Sequence, residues 1–149
     1  TLIHIVVGMI QFNLGWLLFH ETSEKSLIVS IFFALILSGG HVNHELIDID
    51  ADRSAGISSG AAFFGKRNWT ILQLLISVSA FIVSVLITFS VMKEVSGFIV
   101  FSISSLIHVG FNVKLMLTGG TQNDFLMNRT IYRTVFALAG IIHLIITIF

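Results

Sequence analysis

The chain has 149 residues, of which 55% are hydrophobic and only 11% charged, against about 25% charged in an ordinary soluble domain; a mean hydropathy of +0.97 then excludes a free-standing water-soluble globule. Eight Lys plus Arg balance eight Asp plus Glu, so there is no basic excess with which to track a phosphate backbone, and nucleic acid is not an expected partner. Cysteine is absent, which removes disulfides, thiolate metal sites and cysteine nucleophiles together.

The charges fall in gaps between long apolar runs. The first run, residues 2–19, contains no Asp, Glu, Lys or Arg. No basic stretch precedes it and no small-residue cleavage site follows Phe19, so it reads as a membrane span rather than a signal peptide. Further charge-free runs cover 26–44, 69–92, 95–113 and 134–149, the last two read as spans over 95–116 and 130–149. A bilayer core about 30 Å thick takes about 20 apolar residues of helix, at about 1.5 Å per residue. Strands from so few long runs could not close a barrel, and their backbone groups would lack partners in lipid. The expectation is an all-α, polytopic transmembrane helix bundle of five spans in one domain over residues 1–149, embedded in a lipid bilayer. Because the chain opens at Thr1 and closes at Phe149 inside apolar runs, it reads as a piece of something longer.

Connections between successive spans alternate sides. Lys25 and Lys93 fall on one side; Arg53, Lys66, Arg67, Lys114, Arg129 and Arg133 fall on the other. The positive-inside rule therefore places the loop at residues 45–68 in the cytoplasm, with the N-terminus inside and the C-terminus outside.

That loop carries the chemistry. If the second span continues as a helix beyond the membrane, each residue turns about 100°. With His41 at 0°, Glu45 falls at about 40°, Asp48 at about 340° and Asp52 at about 20°, while Asp50 faces the opposite way. Carboxylates three and four residues apart have Cβ atoms about 5–6 Å from one another and repel unless protonated or neutralised by a cation. Hard oxygen ligands suit Mg²⁺, which completes its octahedron with water and phosphate oxygens. A solvated acidic face is the plain alternative. Downstream, Gly56, Gly60 and Gly65 allow tight turns and close approach to an anion, Ser58 and Ser59 offer hydroxyls, and Lys66 and Arg67 bring countercharge.

The order Glu45-x2-Asp48-x3-Asp52-x3-Gly56-x2-Ser59-x-Ala61-x3-Gly65 closely resembles the second aspartate-rich motif of the UbiA family of intramembrane prenyltransferases, over Asn43 to Lys66. The resemblance implies a bundle of nine transmembrane helices of which these spans are the last five. It implies transfer of an isoprenyl chain from its diphosphate to a lipophilic acceptor, most often an aromatic ring such as a quinone precursor. On the matching positions, Asp48 and Asp52 are the catalytic Mg²⁺ ligands, and Glu45, at the acidic position before them, is expected to join them on the metal. Arg53, Lys66, His44 and Ser59 are expected to contact substrate. Ser59 stands where the family usually has Thr, and Gly60-Ala61-Ala62-Phe63-Phe64 replaces its commoner apolar sequence. The first aspartate motif, Asn-Asp-x2-Asp-x3-Asp, occurs nowhere in residues 1–149. Activity would then require missing N-terminal helices that carry it.

Two other classes compete. His41 and His44 flank the acidic row, as a His/carboxylate membrane metalloenzyme such as a di-iron oxidase would require, although only Asp124 stands in the other inner loop. A transporter or channel with an acidic cytoplasmic mouth is the other, yet no second acidic site lies at mid-depth. Gln11, Asn13, Gln73, His108, Asn112 and His143 read as hydrogen-bonding glue between helices. The 14 Phe serve either to line a tunnel or to pack between helices.

Overall fold

A computed structural model describes residues 2–91 and 98–148, and among them the chain is all helix without a strand. Six α-helices follow in order: α1 (Leu2–Leu17), α2 (Glu24–Ser54), α3 (Gly60–Phe64), α4 (Lys66–Leu86), α5 (Ile99–Thr118) and α6 (Gln122–Ile148). A π-helical turn, Ile87–Val91, continues α4. Four of these, α2, α4, α5 and α6, are long and apolar enough to cross a membrane. α1 is apolar but has only 16 residues, about 24 Å of helix.

Apolar runs mark where a helix meets lipid, not where it ends. α2 starts before residue 26, at a capping box in which Ser23 Oγ accepts from the Ser26 amide at 3.1 Å and Ser26 Oγ from the Ser23 amide at 3.0 Å. It then continues past His44 to Ser54. α6 likewise starts at Gln122 rather than near 130, because Thr121 and Asp124 form a second reciprocal cap. The stretch expected to be a loop, 45–68, is therefore mostly helix, broken at 55–59 and at Gly65. The Lys93-Glu94 link and the expected start of the fourth span at 95 lie outside the described residues.

α2 is the hub, packing on α1, α3, α4 and α6, while α5 packs on α4 and α6. At one end of the bundle Val42, Leu46, Ile49, Ala61, Leu115 and Phe125 form a buried cluster. Toward the other end Phe32, fully buried, meets the rings of Phe33, Phe98, Phe101 and Phe136 edge-on at 5.1–6.2 Å. Most of these rings fill the space between helices, as offset and edge-to-face aromatic pairs prefer.

Candidate functional site

The unbroken run of α2 through Ser54 keeps Glu45, Asp48 and Asp52 in helical register on one stripe. Two of the three carboxylates have an imidazole partner one turn before them. His41 Nε2 lies 2.8 Å from Glu45 Oε1, and His44 Nδ1 lies 2.8 Å from Asp48 Oδ2. Exposure rises toward the helix end: the side chain of Glu45 is 16% exposed and that of Asp48 43%.

Glu45 is tied down further. Its Oε2 accepts from the Ala61 amide of α3 at 3.0 Å, so this carboxylate docks the short helix against α2. Gly60 makes the approach feasible, since a Cβ there would come within 2.8 Å of Glu45 Oε2 and 2.2 Å of the Trp69 ring. The anion that the glycine-rich segment approaches is thus one of the chain's own. Ser59 caps α3, its Oγ accepting from the Ala62 amide at 3.3 Å. Left-handed backbone at Gly56 (φ +69) and Gly65 (φ +85) lets the chain leave α2 and turn from α3 into α4 where a Cβ would be strained.

Arg53 and Lys66 sit elsewhere. Both line a small cleft of about 130 Å³ with Leu46, Asp50, Gln122 and Phe125, a set that uses the face of α2 turned away from the acidic row. Lys66 Nζ donates to the Gly120 carbonyl between α5 and α6, and lies 5.4 Å from the centre of the Phe125 ring. The structure therefore groups Glu45, Asp48 and Asp52 with His41 and His44, and places Arg53 and Lys66 around the helix from them.

Beside the row, along the face of α2 that carries His41 and His44, a cavity of about 470 Å³ opens between α1, α2 and α6, walled by Phe33, Ile36, His41, His44, Tyr132 and Arg133; Glu45, Asp48 and Asp52 themselves do not line it. His4 of α1 also lines it and stacks on His41 at 3.6 Å between ring centres. His4 escapes a reading confined to the motif, although it is the one titratable side chain in the first apolar run. Two half-exposed carboxylates one helical turn apart, Asp48 and Asp52, fit the donor set of Mg²⁺, which takes one or two carboxylates beside water and phosphate oxygens.

Behind the row lies an amide cluster that only partly follows from the sequence. Asn43 Oδ1 accepts from Gln73 Nε2 at 2.9 Å and from Asn128 Nδ2 at 3.1 Å, and Asn128 Nδ2 also reaches Asn112 Oδ1 at 3.2 Å. Asn43 Nδ2 donates to the Phe125 carbonyl at 3.1 Å. All four amides are fully buried and come from α2, α4, α5 and α6. Gln73 and Asn112 are among the expected glue residues, whereas Asn43 and Asn128 are not. His108 is buried beside Tyr132, its ring 5.2 Å away, and makes no hydrogen bond with Asn112 one turn on. Comparison with protein families, with curated proteins and with solved structures finds no match to this chain.

Proposed function

We propose that this chain supplies the second-motif part of a UbiA-type prenyltransferase, moving an isoprenyl group from its diphosphate to a lipophilic acceptor. One observation carries the reading: α2 holds Asp48 and Asp52 in a single row at its last turns, with Asp48 paired to His44, which lines the neighbouring cavity. In this proposal Asp48 and Asp52 hold Mg²⁺ and Glu45, anchored by His41 and Ala61, fixes the inner end of the row. A Mg²⁺ held by these carboxylates would supply countercharge to a diphosphate leaving group. His44 orients Asp48, as the partner of a metal-binding carboxylate does. The apolar wall of Phe33 and Ile36 keeps water from the reacting carbon, and Arg133 sets positive charge at the cavity's edge. Five spans, with the acidic row on the cytoplasmic face and the first aspartate motif supplied by helices outside residues 1–149, complete the proposal.

The test is binding of geranyl diphosphate to the protein in detergent with and without Mg²⁺, alongside turnover in a chain extended to include an upstream aspartate motif. Asp48→Asn and Asp52→Asn are each expected to lower turnover by about 100-fold or more and to abolish the Mg²⁺ dependence of binding, while both proteins still insert. Full activity in both variants overturns the assignment.

A further inference from the structure

A second cavity, of about 520 Å³, opens between the start of α4 and the end of α5, away from the acidic row. Its polar wall is Lys66, Arg67, Thr70 and Thr118; its apolar wall is the exposed Met116 and Leu117 over the buried Leu115. No acidic side chain lines it, and among the described residues neither Lys66 nor Arg67 forms an ion pair with a carboxylate. Lys66 is steadied by its bond to the Gly120 carbonyl and by the Phe125 ring. This leaves its charge beside the groove without the entropy cost of a free lysine. Arg67 is exposed, as are Met116, Leu117 and Thr118. The groove thus has two cations at its mouth and an exposed apolar strip, between the ends of two helices long and apolar enough to cross a membrane.

We propose that this groove binds an anionic phospholipid, its phosphate at Lys66 and Arg67 and the start of one acyl chain along Met116 and Leu117. Charge complementarity selects this occupant. A zwitterionic lipid brings no net charge to these two cations, of which Lys66 also lies within the field of the Asp124 carboxylate, and a free phosphate leaves the apolar strip in water. A basic pocket between membrane helices at a cytoplasmic face is a place where anionic headgroups are held. The inference is independent of the prenyltransferase reading, because Arg67 takes no part in the acidic row and Asp48→Asn leaves the groove intact.

Native mass spectrometry of the full chain in detergent, titrated with phosphatidylglycerol or phosphatidylcholine of the same acyl length, tests it. Phosphatidylglycerol is expected to bind about tenfold or more tightly than phosphatidylcholine. With each cation contributing about a fivefold factor, Arg67→Gln should weaken phosphatidylglycerol binding about fivefold and Arg67→Glu more than tenfold. Lys25→Glu, at the far end of α2, should leave it unchanged. Equal binding of the two lipids overturns the proposal, as does unaltered binding by folded Arg67→Glu. Displacement of the lipid by an equal concentration of inorganic phosphate also overturns it, since the phosphate alone is then the ligand.

Discussion

Glu45 shows how one side chain can hold both a fold and a site. Its two oxygens serve His41 on its own helix and the Ala61 amide on α3, and the resulting contact leaves no room for a side chain at Gly60. Gly60→Ala must push its methyl into the Trp69 ring, which has little freedom to yield. Overpacking of this kind costs about 1–3 kcal/mol, and a lowered thermal midpoint in detergent is the expected result. Glu45→Gln keeps the shape and one acceptor oxygen for Ala61 but lacks the charge facing His41. It should lose less stability than Glu45→Ala, which strands the Ala61 amide as well. If Glu45→Ala is as stable as the parent protein, the docking of α3 does not depend on this carboxylate. Spacing alone puts Glu45 in the row; that it is already engaged by a backbone amide depends on α3, a turn of helix too short to announce itself in the sequence.

Among the helices, the amide cluster fixes which face of each meets the others. Side chains of α4 and α6 converge on Asn43 of α2, which accepts two hydrogen bonds and donates one, and Asn112 of α5 joins them through Asn128. Asn43→Leu leaves Gln73 Nε2 without its acceptor and the Phe125 carbonyl without its donor in a fully buried place. A loss of about 1–3 kcal/mol is expected, the lower end if lipid-buried amides find new partners. Asn13→Leu is the control, since Asn13 bonds only the Met9 carbonyl of its own helix, and it should be near neutral by the same thermal assay. The same level of organisation explains what could be read in advance. Long runs without charge give the helices and their order, because lipid and protein interior both demand them. The ends of α2 and α6 are not legible that way: outside lipid a helix needs caps and propensity rather than hydrophobicity, and Ser23, Thr121 and the residues after His44 supply these. The acidic row was legible because helical register alone aligns it. The same register already turns Arg53 about 100° from Asp52, whereas the place of Lys66 was not legible, since it depends on how α4 and α6 pack around α2.

Across the whole molecule, α2 sets the geometry on which any membrane placement depends. Its 31 residues make about 46 Å of helix, longer than a hydrocarbon core of about 30 Å, so its two ends fall in different aqueous phases if it crosses. Thr22 precedes its start and Ser58 follows its end, and both are exposed. The loop between α5 and α6 belongs to the Ser58 end, because Lys66 bonds Gly120 and Gln122 Nε2 reaches the Ile47 carbonyl at 3.1 Å. Since the chain has no cysteine, single cysteines can be placed on the native sequence without a substituted background. In sealed vesicles a membrane-impermeant maleimide should label Ser58→Cys and Asn123→Cys from one face and Thr22→Cys only from the other. In the proposed topology the Ser58 end, where the basic residues gather, is the cytoplasmic face under the positive-inside rule. Labelling of Thr22→Cys and Ser58→Cys from the same face means that α2 does not cross. In that case the acidic row no longer stands at a membrane rim, and both the proposed diphosphate site and the proposed lipid groove lose the setting that gives them meaning.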